Sequence, residues 1–230
     1  MAHVNQRADV FAPEYDKSYW RRGKSSVPSI AQRAKSYLRR PGYAWYRFRK
    51  LLHPNDPWIS PSAVRFCATY LTCSQAGLEW GSGRSTRWYG KRLGKLLSIE
   101  HNPYWHAKVT QMIRDLPNVE CRLIALEHPL NQPTKPDYDP LPKYVAVAKQ
   151  FPDASLDFVV VDGHYRQACI KQALPKLKPG GLLLVDDFGF VPSLREWGVP
   201  PCWPVVYESS SPYHDTIIWR KPVVTLNSSE

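Results

Sequence analysis

The chain has 230 residues, 22 of them proline, and carries 31 Lys and Arg against 20 Asp and Glu, a net charge of +11. That length supports one full hydrophobic core with an appended segment. No apolar run approaches the roughly eighteen residues of a membrane span and no signal-peptide-like apolar region opens the sequence, so a cytoplasmic protein is expected. The cysteines, at 67, 73, 121, 169 and 202, form no Cys-x-x-Cys pair and are odd in number, which argues against a disulfide framework or a zinc site.

Residues 1–58 read as a basic, aromatic-rich arm. Residues 1–55 hold twelve Lys or Arg and three acids, so +9 of the +11 lies there and the remainder is nearly neutral. Between 29 and 52, Arg33, Lys35, Arg39, Arg40, Arg47, Arg49 and Lys50 alternate with Ile30, Tyr37, Leu38, Tyr43, Trp45, Tyr46, Phe48, Leu51 and Leu52, and Pro41-Gly42 divides the stretch into two short helical pieces. Three uses suit this pattern. Residues 21–52 can contact an anionic membrane or another polyanion, or track a nucleic-acid backbone with aromatic stacking, or cap the following domain with aromatics while the cations stay solvated.

Residues 59–222 alternate helical and strand patterns, and 223–230 are a polar tail. Ser60-Pro61 opens a helix through Leu71. A strand over 76–80 leads into the glycine turn Gly81-Ser82-Gly83, a helix over 85–93 stops at Gly94, and a second strand covers 95–100. Asn102-Pro103 starts a helix with Trp105, Val109, Met112, Ile113 and Leu116 on one face, and 119–126 is the third strand. Residues 127–142 hold five prolines and no periodicity, a long loop of the kind that is functional or disordered. A helix over 144–151 precedes two buried-strand runs, 156–162 and 182–187, the second introduced by the turn Lys178-Pro179-Gly180-Gly181. Residues 188–202 are a candidate lid, and 205–208 with 216–220 are closing antiparallel strands.

Four of these strands end on acids: Glu79, Glu100, Asp162 and the pair Asp186-Asp187. In an open parallel sheet they would share the carboxyl edge, where ligands bind. Gly81 and Gly83 permit close backbone approach, Ser85 and Thr86 stand where helix N–H groups point at an anion, and Glu100 follows at the distance where a βαβ unit puts a carboxylate on ribose hydroxyls. The pattern describes a nucleoside pocket.

From Glu79-Trp80-Gly81-Ser82-Gly83, Glu100, Asp162 and Lys178-Pro179-Gly180-Gly181, the chain resembles the class I S-adenosylmethionine-dependent methyltransferases over roughly residues 60–222. Thr86 stands where a dinucleotide fold would want a third glycine. The resemblance implies an α/β, Rossmann-like seven-stranded sheet, mostly parallel with an antiparallel closing strand. It also implies S-adenosylmethionine as cofactor, bound by Glu79, Trp80, Gly81, Ser82, Gly83, Ser85, Thr86, Glu100, His101 and Asp162.

It is closest to small-molecule and sugar O-methyltransferase types, implying a small or glycan-type hydroxyl acceptor. Asp162, Asp186 and Asp187 are similar to the metal ligands of catechol-, caffeoyl-CoA- and macrocin-type members, which implies Mg²⁺ or another divalent cation; acids also end these strands in metal-free members. Catalysis is expected from Asp162, His164 and Asp187, with His164 as alternative base. Arg166 would bind an acidic substrate or stay a solvated helix cation. The alternatives are an RNA methyltransferase using the basic arm, and a non-catalytic module that binds the donor and a partner.

Overall fold

A computed structural model describes residues 48, 51–53, 55–128, 135–187, 194–211 and 214–223. The chain divides into two units, residues 1–52 with 128–131, and 53–127 with 132–230. Of the first unit, Phe48, Leu51 and Leu52 are described and exposed; the basic residues from 21 to 47, and Arg49 and Lys50, lie outside the described residues, as does the lid candidate from 188 to 193. No helix among the described residues is long and apolar enough to cross a membrane.

The second unit is a seven-stranded sheet: β1 (Ala76–Trp80), β2 (Lys95–Glu100), β3 (Val119–Leu123), β4 (Leu156–Val161), β5 (Leu177–Asp186), β6 (Val205–Ser211) and β7 (His214–Arg220). They lie in the order β3-β2-β1-β4-β5-β7-β6, and β7, antiparallel to both of its neighbours, is the one reversed strand. The central strands are apolar throughout because both faces are covered. Alternation sends Leu78, Trp80, Val159, Val161, Leu183 and Val185 to one core, and Phe158, Val160, Leu182 and Leu184 to the other.

Helix α1 (Pro61–Tyr70) starts as expected, with Ser60 Oγ accepting from the Ala63 N–H at 3.1 Å and Pro61 in the first turn. Its Cys67, with Trp88 and Tyr89 of α2 (Arg84–Gly90), packs on the Phe158 face. Helix α3 (Pro103–Met112) is capped by Asn102, whose Oδ1 accepts from the Trp105 N–H at 3.0 Å. The opposite face is covered by α4 (Lys143–Ala146), a 3₁₀ turn over Val147–Gln150, and α5 (Arg166–Ala173).

Four expectations are corrected. α2 begins at Arg84 and stops at Gly90, because Lys91 to Gly94 turn back toward β2. β3 ends at Leu123 rather than 126. The single helix over 144–151 is one α turn and one 3₁₀ turn. Lys178-Pro179-Gly180-Gly181 is not a turn ahead of the strand but an irregularity inside β5: Leu177 pairs with Leu156 and Leu182 with Phe158, so the intervening residues bulge. Gly180 takes φ +82 there, which glycine adopts without steric cost. Across the sheet's amino edge, Asp157 accepts from the Ala76 N–H and the Lys178 ammonium, at 2.8 and 2.9 Å, fixing the base of the strands that carry the site.

Candidate functional site

β1, β2, β4 and β5 deliver their terminal acids to one edge, and a glycine turn closes the edge between them. Gly81 has φ +93, and a Cβ there would lie 2.6 Å from the Asp162 carbonyl oxygen, so the ends of β1 and β4 meet backbone to backbone. The Trp80 indole is turned away into the core, donating to the Tyr144 carbonyl at 2.9 Å; only its backbone reaches the edge. Ser82 is spent on the scaffold: its Oγ donates to Glu100 Oε2 at 2.8 Å, and its carbonyl accepts from Trp105 Nε1 at 2.7 Å. Ser85 is partly exposed at the start of α2.

Thr86 does not present its hydroxyl to a ligand. It is fully buried, accepts from the Gly83 N–H at 2.9 Å and donates to Glu79 Oε2 at 2.6 Å. Ser98 Oγ donates to the same oxygen at 2.6 Å. Glu79 is thus a buried post under the turn, with Oε1 lacking a hydrogen-bond partner. Burial pushes its carboxyl up to about 7, against the hydroxyl hydrogen bonds that favour the charge.

Glu100 is held in the opposite state. It is 3% exposed, and burial alone would raise its pKa. The bonds and positive potential of His101, with the bonds from the Asn102 N–H and Ser82, outweigh that and keep the carboxyl below its ordinary range. Oε1 accepts from the backbone N–H groups of His101 and Asn102, each at 2.8 Å. The His101 ring stands beside it, Nδ1 3.1 Å from Oε1, and its Nε2 is buried without a hydrogen-bond partner. An ionised carboxylate next to a buried imidazole with one nitrogen unpartnered suits a polar ligand.

His164 follows β4 with its ring centroid 4.4 Å from that of His101. Burial, with His101 and Arg166 adding to it, pushes its pKa down to about 4, so the imidazole is neutral near physiological pH. Tyr144 brings a fully buried hydroxyl against the Cα of Gly163, without a hydrogen-bond partner.

Asp162, Asp186 and Asp187 are brought together as expected, with one ligand atom from each inside a 4.8 Å group. Asp186 is buried, its Oδ1 accepting from Thr216 Oγ1 at 2.6 Å, and burial with two neighbouring carboxylates raises its pKa well above the ordinary range. Asp162 keeps 34% of its side-chain surface open. Desolvation raises its carboxyl too, with Arg166 opposing and Asp187 adding to the rise.

Sequence reasoning missed how Arg166 is used. Neither solvated nor facing outward, its side chain is 11% exposed, and its guanidinium reaches the ends of both β4 and β5. Its i+4 spacing from Asp162 was the one available signal. The roles of Trp105 and Tyr144 left no such trace.

A methyltransferase-domain family model matches residues 78–188. No curated protein matches the chain. Among solved structures, an rRNA methylase from Streptococcus thermophilus superposes with a TM-score of 0.53 at 13% identity, covering 69% of this chain and 93% of its own. A Streptococcus mutans protein described as a candidate methyltransferase, solved with SAH, gives 0.50 at 10% identity over 68% and 94%. An RNA methyltransferase from Salinibacter ruber in complex with S-adenosyl-L-homocysteine gives 0.45 at 15% over 76% and 99%. The sheet order, the glycine turn and the strand-terminal acids stand with a methyltransferase-domain match over residues 78–188, and the chain has the Rossmann-like fold of the class I S-adenosylmethionine-dependent methyltransferases, which it resembles.

Proposed function

We propose that the chain transfers a methyl group to a hydroxyl oxygen of a small-molecule or glycan-type acceptor. The observation that carries this is a partly open carboxylate, Asp162, whose backbone abuts the glycine turn and whose pKa is raised from the ordinary range. A general base works best with its pKa near the operating pH. When bound, S-adenosylmethionine supplies an electrophilic methyl on a sulfonium sulfur. Glu100 and the His101 ring would hold its ribose and adjoining edge; Gly81, Ser82 and Gly83 would give it backbone, with Glu79, Thr86 and Trp80 acting from beneath.

On this reading the acceptor hydroxyl would give its proton to Asp162 Oδ as its oxygen takes the methyl, the S–C bond of the sulfonium breaking to leave S-adenosylhomocysteine. His164, neutral and weakly basic, orients the acceptor by hydrogen bonding, and Asp187 flanks it from the β5 side. Much of the rate would come from positioning. Asp162, Asp186 and Asp187 have the oxygen chemistry for a divalent ion, yet a guanidinium already stands among them.

The charge of residues 1–55 favours a second reading, an RNA acceptor captured by the arm. S-adenosylhomocysteine release measured across phenolic, glycan and RNA acceptors separates the two. Turnover on hydroxyl small molecules or glycans supports the first. Turnover on RNA alone overturns it, and donor binding without turnover on any acceptor identifies a binding module.

A further inference from the structure

We infer that Arg166 is the resident cation of the acidic edge, standing where a divalent metal would, so that methyl transfer there proceeds without a metal. The inference rests on the methyl-transfer reading only for its catalytic consequence; the occupancy of the edge stands on geometry.

Arg166 Nη2 lies 3.4 Å from Asp162 Oδ1 and 3.8 Å from Asp187 Oδ2. Nη1 donates to the Asp186 carbonyl oxygen, and Nε donates to the Gly163 carbonyl oxygen at 2.9 Å. One side chain therefore binds the segment after β4 and the end of β5 through three hydrogen-bond acceptors and a further ion pair to Asp187. Arginine suits this: the fork is planar, it keeps its charge, and it carries five donors in fixed directions.

A metal would have to share that space. Mg²⁺ demands six oxygens at about 2.0–2.1 Å, and Ca²⁺ six to eight at about 2.3–2.6 Å. An ion that close to both Asp162 and Asp187 would sit within a few ångström of a guanidinium that cannot lose its proton, and the two cations would repel. Asp186, the third ligand, is already engaged by Thr216. The carboxylates have the chemistry for a metal, but Arg166 takes the position.

The chain also places Arg166 there at a cost. Tyr165, immediately before it, has φ 52, and Asp187, which it faces across the strands, has φ 49. Both are non-glycine residues in the left-handed region, a conformation that surrounding structure has to impose. Tyr165 caps α5 in that conformation, which brings Arg166 into the helix's first turn.

Arg166 is accordingly a positioning residue: it fixes Asp162 relative to Asp187. The test is Mn²⁺ titration of the full chain by electron paramagnetic resonance, with S-adenosylhomocysteine binding measured in parallel. The wild type and Arg166→Lys should show no saturable Mn²⁺ binding, and wild-type turnover should change less than about twofold in excess EDTA, metal chemistry being absent. Arg166→Met, with the repulsion removed, should gain one Mn²⁺ at about tenfold or greater affinity, and adding Asp187→Asn should abolish it.

Saturable Mn²⁺ binding by the wild type that Asp187→Asn removes would overturn the inference. So would EDTA-sensitive turnover restored by Mn²⁺, or an Arg166→Met protein that binds S-adenosylhomocysteine and gains no metal. Should Arg166→Met fail to fold, the wild-type titration decides alone. If the methyl-transfer reading itself fails, turnover is absent on every acceptor while the Mn²⁺ titrations still report on the edge.

Discussion

Replacing Glu100 by Gln separates donor binding from folding more cleanly than removing the side chain. The Glu100 carboxylate accepts three hydrogen bonds at 2.8 Å, from Ser82 Oγ and the His101 and Asn102 N–H groups. Alanine would strand all three donors in a site where Glu100 is 3% exposed, at about 1–3 kcal/mol each; any loss of donor affinity would then be inseparable from damage to the turn. Glutamine keeps Oε1 for the two N–H groups, and its Nε2 can donate to Ser82 Oγ, whose hydroxyl can reverse its role. What disappears is the negative charge. If the ribose hydroxyls donate to this carboxylate, exchanging a charge-assisted acceptor for an amide should cost about 1.5–3 kcal/mol, or about 10- to 150-fold in affinity. Calorimetric titration of S-adenosylhomocysteine reads this directly, with thermal unfolding as the check that the fold survives. Binding by Glu100→Gln within twofold of the wild type, at unchanged stability, would refute the ribose assignment.

The raised carboxyl of Asp162 should give kcat a rise with pH through one ionisation above the ordinary carboxyl range; Asp162→Asn should abolish that limb and most of the rate, and a profile unchanged by the substitution would move the base elsewhere. For Glu79 the sign follows from its holding a proton longer in the fold, to about 7, than near 4.5 in the unfolded chain: stability is full below about 4.5, falls as pH rises toward 7, then levels, by about 3 kcal/mol in all. Glu79→Gln should flatten that slope in denaturant unfolding between those limits. Neutralising Arg39, Arg40, Arg47, Arg49 and Lys50 together should weaken binding to anionic liposomes or polyanions, each cation being worth about 1 kcal/mol near an anionic bilayer, with donor affinity unchanged; lost donor binding or unfolding would make the arm part of the folded core.

The parts of this fold that could be read from sequence are those set by local chemistry. β1 and β2 fall on their expected residues because each is a short apolar run closed by an acid. α1 and α3 begin where Ser60-Pro61 and Asn102-Pro103 say they should, since cap and proline act within one turn. The departures come from distant partners. Lys178-Pro179-Gly180-Gly181 has every mark of a turn, but pairing with β4 absorbs it into β5 as a bulge, and that pairing is set by residues twenty positions away. The hydroxyl of Thr86, placed near the ligand by its helix position, is drawn under the turn by Glu79 and Ser98, from two different strands.

The same division runs through the site. The acids were visible because a strand end is a local event, whereas their charge states are not. Glu79, next to last in β1, and Glu100, last in the adjacent parallel β2, are both buried, yet one carboxyl is pushed up to about 7 and the other is held below its ordinary range. The difference lies in the donors. Glu79 meets only hydroxyls, those of Ser85, Ser98 and Thr86, while Glu100 collects two backbone N–H groups, a hydroxyl and a neighbouring imidazole. Hydrogen bonds to the charged form offset desolvation when there are enough of them, and fall short when there are not. A buried post that keeps its proton longer than usual thus stands beneath the glycine turn, with an ionised acceptor beside it. Arg166 extends that arrangement to the next pair of strands, where a cation on α5 stands beside both Asp162 and Asp187 and opposes the rise of the Asp162 carboxyl.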